Sequence, residues 1–382
     1  MVAVLLLIGL AVAVFVGFNI GGSSTGVAFG PAVGSESISK IWAGALMTGF
    51  ALLGGATVGT QVVKTMGGEI VPQSEFTLAA SVTVLFFVGG ALMISNLFGV
   101  PASTSMTAVG AIAGLGVATG TIDWSVMGRI VSWWLVAPII AFWVCAMIGR
   151  YLYPYLEARF TFESDSGERT RRETIGRVLV VAIGCYMAFS AGASNTANAV
   201  APLVGSGVIG LYSGVALAGV AIGLGAFTIA RRTLDTVGSG LTDLPIMAAL
   251  IVEVISATII SLLSWGGIPA SLAVSATMCI VGLGWGRATR TTTLSEAASA
   301  AVSGEAAPSE DDESDELSVD ALANGDSEDD EVPGIGEEDR AELTAGDLFD
   351  PAATGRVVTL WVLTPTISAV ASYLVFQFVP FV

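Results

Sequence analysis

The stretch GGSSTGVAFGPAVGS, from Gly21 to Ser35, returns 171 positions later as GASNTANAVAPLVGS, from Gly192 to Ser206. Without gaps, the two agree at Gly21, Ser23, Thr25, Ala28, Pro31, Val33, Gly34 and Ser35. A second pair lies at almost the same spacing: STSMTAVG, Ser103 to Gly110, against SATMCIVG, Ser275 to Gly282. A third sets Lys64-Thr65-Met66-Gly67 against Asp235-Thr236-Val237-Gly238. Three matches in order at one offset are hard to dismiss as coincidence among small residues. The chain therefore reads as two homologous halves.

The surroundings of these stretches say where they work. The 382 residues are 53% hydrophobic and 12% charged, a balance that water-soluble domains rarely reach. A span needs roughly 20 apolar residues to cross a ~30 Å hydrocarbon core. Full-length candidates are 2–20, 39–62, 76–98, 127–150, 176–191, 207–229, 244–265 and 356–380. Between them lie four shorter segments rich in Gly, Ser and Thr: 21–35, 102–119, 192–206 and 269–286. Short, polar interruptions of this kind read as half-helices or re-entrant pieces. The fold class is thus an all-α polytopic membrane protein. It has two homologous repeats, read as inverted, with broken or re-entrant helices and about 10–12 membrane elements.

Charge organises the rest. Between Glu296 and Asp350 stand 20 of the 32 acidic residues, opposed only by Arg340. The formal charge of −17 therefore belongs to one loop, while the apolar body is close to neutral. Such a chain is not a basic nucleic-acid binder. The segment 150–177 carries Arg150, Arg159, Arg169, Arg171, Arg172 and Arg177, which marks it as cytoplasmic. The first 39 residues carry no Lys or Arg, so the N-terminus is placed outside. The division is then 1–150 for the first repeat, 151–175 for a basic cytoplasmic linker and 176–382 for the second repeat. An acidic loop, 288–354, is inserted before the last span and also lies in the cytoplasm. Its composition predicts disorder.

The absence of His removes histidine catalysis and histidine metal sites, and no nucleophile–base pair or carboxylate dyad has a recognisable spacing. Cys145, Cys185 and Cys279 read as buried small hydrophobes. The expectation is a non-enzyme with no metal and no cofactor. The duplicated segments suit an anion instead. Broken helices expose backbone N–H groups, Gly admits close approach, and Ser, Thr and Asn supply neutral hydrogen-bond groups around an oxyanion.

These residues resemble a known family. Gly21–Ser35 and Gly192–Ser206 look like two copies of the GANDVANAFGPAVGS signature of the PiT inorganic phosphate transporters. PASTSMTAVG, Pro101 to Gly110, and SATMCIVG, Ser275 to Gly282, are similar to that family's two STT motifs. The resemblance implies uptake of inorganic phosphate across the plasma membrane, coupled to Na⁺ or H⁺, by alternating access. It implies a substrate site drawn from Ser23, Ser24, Thr25, Ser103, Thr104, Ser105, Ser194, Asn195, Thr196, Asn198, Ser275 and Thr277. Both signature Asp positions are replaced, by Ser24 and Asn195, and Val27 replaces a signature Asn. Lys64, Asp235 and Glu253 are the candidates for coupling or intramembrane charge. Lys64 and Asp235 occupy matching positions and are expected to pair. The alternatives are a sulfate or other oxyanion permease on the same scaffold, and a membrane sensor signalling through the acidic loop. A homodimer is left open.

Overall fold

The computed structural model describes residues 2–97, 103–159, 171–230, 245–291 and 351–379. These residues form helices and turns, with no strand among them. In the first half, α1 spans Val2–Gly34, α2 Lys40–Thr57, α3 Gly59–Lys64, α4 Leu78–Leu97, α5 Thr104–Thr119, α6 Trp124–Tyr151 and α7 Tyr153–Arg159. In the second, α8 spans Arg171–Gly205, α9 Leu211–Thr228, α10 Ile246–Trp265, α11 Leu272–Ala288 and α12 Pro351–Phe378. Five helices are long and apolar enough to cross a membrane, or six if the bent pair α2–α3 is one span. Large apolar side chains stand exposed along the outside, Leu7, Leu135, Val220 and Leu262 among them. Trp42, Trp124, Tyr212 and Trp265 are exposed near helix ends, as aromatic anchors at a bilayer boundary are. This is a multi-pass membrane protein.

Two features differ from the sequence-based expectation. Segments 2–20 and 21–35 are one helix of 33 residues, and 176–191 and 192–206 lie within one helix of 35. The signature segments are therefore not separate re-entrant pieces. Small polar residues do not interrupt a helix when their hydroxyls bond back to it: Thr25 Oγ1 donates to the Gly21 carbonyl at 2.6 Å. The break falls elsewhere, at Val58, where α2 and Gly59–Glu69 meet at 61°. Residues Thr65–Glu69 form one wide, π-type turn there. The predicted loop 288–354 also contracts at both ends. Residues 289–291 form a 3₁₀ turn after α11, α12 begins at Pro351, and 292–350 lie outside the described residues.

The halves pack by exchanging helices. α1 lies against α9 and α2 against α8; α5 lies against α12 and α6 against α11. Glycines make these approaches possible. A Cβ on Gly21 would fall 1.9 Å from the Ile222 carbonyl oxygen, and one on Gly192 would fall 2.1 Å from that of Ala51. A Cβ on Gly225 would fall 2.0 Å from the Phe18 carbonyl oxygen, and one on Gly54 would fall 2.0 Å from that of Phe189. Each contact recurs with both partners shifted by 171 positions. Gly110 and Gly114 seat on the Pro365 and Ala369 carbonyls of α12, while Gly282 and Gly286 seat on those of Phe142 and Ala146 of α6. Small residues bringing backbones together is the usual way membrane helices associate. At one end of this seam, α6 and α11 satisfy each other's terminal carbonyls. Arg290 donates to the Arg150 carbonyl at 2.7 Å, and Arg150 donates to that of Thr289.

Candidate functional site

α5 starts where Ser103 stops the preceding chain. Its hydroxyl accepts from the Met106 backbone N–H at 3.3 Å, an N-cap that leaves Thr104 and Ser105 in the first turn. These two residues face the middle of α8. Thr104 Oγ1 donates to Asn195 Oδ1 at 2.6 Å. Ser105 Oγ and Ser194 Oγ stand 3.3 Å apart. The Asn198 amide nitrogen reaches Thr104 Oγ1 and Ser105 Oγ, each at 3.2 Å, and Asn195 Oδ1 at 3.1 Å. Ser194 Oγ also donates to the Ala270 carbonyl at 2.6 Å, in the loop that precedes α11. Five polar side chains from the two motifs thus form one largely buried cluster of neutral groups: Thr104, Ser105, Ser194, Asn195 and Asn198. Two buried atoms of α8 have no hydrogen-bond partner among the described residues: Asn198 Oδ1 at the cluster and Thr196 Oγ1 on the face that meets Gly55 of α2.

The other proposed residues are not drawn into the cluster by hydrogen bonds. Ser23 Oγ donates to the Asn19 and Ile20 carbonyls within α1, and Thr25 likewise turns into its own helix. Ser24 is buried. Val27, which stands where Asn198 stands in the second copy, is 39% exposed. Ser275 is buried and Thr277 half-buried, both inside α11 rather than at its start. The cap of α11 is Ser271, whose hydroxyl accepts from the Val274 N–H at 3.3 Å. This residue was missed because the motif was aligned on Gly110 and Gly282. The signal that finds it is Pro-Ala-Ser, present at 101–103 and again at 269–271. By their caps, α5 and α11 correspond at an offset of 168, one helical turn short of the glycine register. Leu272 and Ala273 then stand where Thr104 and Ser105 stand in the first half.

Of the charged candidates, Lys64 ends α3 and is exposed, while Asp235 lies outside the described residues, and the expected pairing with it. Glu253 sits in the middle of α10 and is 5% exposed. It makes no side-chain hydrogen bond or ion pair among the described residues. No group of three or more His, Cys, Asp or Glu side chains clusters there as a metal site would require.

Comparison with known proteins agrees with this architecture. The family model described as the phosphate transporter family matches residues 20–372. The sulfate permease CysP of Bacillus subtilis is 32% identical over 271 residues, which is 71% of this chain and 74% of that protein. A solved structure titled the sodium-dependent phosphate transporter superposes with a TM-score of 0.70 at 17% identity, covering 98% of this chain and all of the other. With a family match over nearly its whole length, the chain belongs to the phosphate transporter family.

Proposed function

We propose that this protein is a secondary transporter that carries a tetrahedral inorganic oxyanion, sulfate in the first place, through the cluster at Thr104, Ser105, Ser194, Asn195 and Asn198. The observation that carries this reading is the neutrality of the cluster. Its hydroxyls and amides can turn toward an anion and replace its water, and no carboxylate stands among them to repel it. Sulfate is fully ionised at neutral pH and asks only for donors. Phosphate keeps a proton and needs a buried acceptor to be told apart from sulfate. The sequence alone places phosphate first. The donor set, with Ser24 and Asn195 at the two signature Asp positions, and the similarity to a sulfate permease favour the reverse order.

Phosphate is the second reading, and one atom speaks for it. Asn198 Oδ1 is a buried acceptor with no partner, which a protonated phosphate oxygen could fill. The test is uptake of labelled sulfate into proteoliposomes, with phosphate as competitor at pH 6 and pH 8. Sulfate uptake only weakly inhibited by phosphate is the expected result. Phosphate uptake that sulfate does not compete with would reverse the assignment.

The helix exchange supports the reading of 1–150 and 176–382 as two repeats, because the Gly21–Ile222 contact and its counterpart at Gly192–Ala51 are related by one offset. Alternating access would then rock one set of exchanged pairs against the other. In this reading the protein sits in the plasma membrane with segments 151–175 and 288–354 in the cytoplasm. Transport is coupled to a cation gradient.

A further inference from the structure

Coupling to a proton gradient needs a group that gains and loses a proton during the cycle, and the polar cluster has none. Among the described residues, only one carboxylate is buried: Glu253. It stands one turn before Ala257, whose carbonyl accepts from Ser190 of α8 at 3.0 Å. Ser190 is in turn one helical turn before Ser194 of the cluster. On α10 itself, Ser256 is fully buried and its hydroxyl donates to the Val252 carbonyl at 2.6 Å. Further along, Ser261 Oγ and Ser264 Oγ are buried with no hydrogen-bond partner. Ser264 lies eleven residues after Glu253, so the two share one face of the helix, three turns apart. α10 ends at Trp265, and the chain runs on through Gly267 and Ile268 to Ala270, which accepts from Ser194 at 2.6 Å. Buried polar side chains thus recur along α10 from Glu253 toward the loop that touches the cluster.

The surroundings decide which cation this line suits. The helices packed against α10 carry Cys185 and Tyr186 on α8, Cys279 and Arg287 on α11, Cys145 and Arg150 on α6, Tyr153 and Glu157 on α7 and Lys64 on α3; Cys145, Tyr153 and Cys279 share its apolar cluster. Tyr186 donates to Thr258 at 3.2 Å, Lys64 is exposed, and no side chain among the described residues is bonded to the Glu253 carboxylate. Among the described residues no counter-charge meets Glu253; a carboxylate in such an apolar setting is costly when ionised, and taking up a proton removes the cost. A sodium ion would instead ask for several oxygens around one point, as hard cations do. Unpartnered hydroxyls can also hand a proton along a chain of water, as donors and acceptors at once.

Resting on the oxyanion-transport reading above, we propose that Glu253 is the proton-carrying residue of this transporter and that Ser261 and Ser264 line the proton's path toward the substrate cluster. The acid binds a proton on one side of the membrane and releases it on the other, and nothing else is consumed. The experiment uses the full chain in proteoliposomes with the membrane potential clamped at zero. A pH gradient of one unit, alkaline inside, concentrates labelled sulfate up to about tenfold per coupled proton. Wild type is expected to accumulate sulfate under this gradient. Glu253→Gln should exchange sulfate without a gradient as wild type does, yet accumulate none. Glu253→Asp should regain accumulation, and Ser264→Ala should slow it while leaving exchange unchanged. Accumulation by Glu253→Gln at the wild-type level overturns the proposal. So does wild type that exchanges sulfate but ignores the pH gradient. If wild type exchanges neither sulfate nor phosphate, the transport reading fails first, which separates the two.

Discussion

The Thr104 hydroxyl donates to the Asn195 amide oxygen at 2.6 Å, joining two motifs that stand 91 positions apart in the chain. Asn195 occupies the place where the family signature has Asp. A neutral amide accepts this bond as a carboxylate would, but it adds no negative charge. The same residue thus keeps the architecture of the site and removes its charge.

Thr104→Val keeps the shape and deletes the donor. Asn195 Oδ1 keeps only the Asn198 contact, and a buried acceptor that loses a partner costs about 1–3 kcal/mol. Uptake should fall by about tenfold or more. Thr277→Val is the control, because Thr277 is only half-buried and makes no side-chain hydrogen bond among the described residues. Its initial uptake rate should stay within about twofold of wild type, since it disturbs no such bond. Parallel flux measurements decide between the two motif copies.

Asn195→Asp restores the signature carboxylate. A carboxylate repels sulfate but accepts from the proton that phosphate carries. The ratio of phosphate to sulfate uptake should therefore rise, by about tenfold or more. Competition curves measured at a single pH check it, and an unchanged ratio would mean that Asn195 does not face the substrate.

The exchanged helices predict a sharp contrast among glycines. Gly192→Ala would drive a methyl group to 2.1 Å from the Ala51 carbonyl, so α2 and α8 must part. Overpacking of this kind costs about 1–3 kcal/mol. Gly128 in α6 has nothing within 4 Å of the same position. Gly128→Ala should leave stability unchanged or raise it by up to about 1 kcal/mol through helix propensity. Thermal unfolding of the purified variants in detergent distinguishes the two.

α6 begins at an exposed cap, and this gives a pH signature. The Asp123 carboxylate accepts from the Ser125 hydroxyl and backbone N–H, both at 2.8 Å, and from the Val126 N–H at 3.1 Å. The Ser125 hydroxyl does most to hold its carboxyl below the usual value of 3.8, aided by the two backbone bonds. A group depressed in the folded state adds stability that is present above its unfolded value and fades as pH falls through the folded one. Asp123→Asn should therefore flatten the acid limb of the stability curve below about pH 4, where model Asp groups titrate. Melting temperatures from pH 3 to pH 7 would show it.

Much of this was legible in the residues. The recurrence at 171 positions was, because Gly21 and Gly192 make the same kind of close approach and neither can carry a side chain there. The resemblance implied one site drawn from all four motif copies; Thr104 and Ser105 meet Ser194, Asn195 and Asn198, while Ser23 and Thr25 bond within α1 and Ser275 and Thr277 lie inside α11. What was hidden follows from how polar residues behave in a helix. Ser23 and Thr25 look like an interruption but bond back to their own carbonyls, so α1 runs straight through them. Ser275 was paired with Ser103 because the two stretches match from there to Gly110 and Gly282. The cap is Ser271 instead, since the start of a helix is set by which hydroxyl meets the third N–H beyond it, not by the run of small residues. That no second such cluster stands among the described residues also has a local reason. Val27, Leu272 and Ala273 replace the amide and both hydroxyls that build the first.

The exchange of helices also bears on how the protein is made. When α1, α2, α5 and α6 have left the ribosome, the surfaces around Gly21, Gly54, Gly110 and Phe142 still await partners that are not yet translated. The first half must therefore rest in the membrane as loosely associated spans until α8 to α12 arrive. Neither half is a folding unit, and a chain cut between α7 and α8 should yield two fragments that survive only when they are produced together.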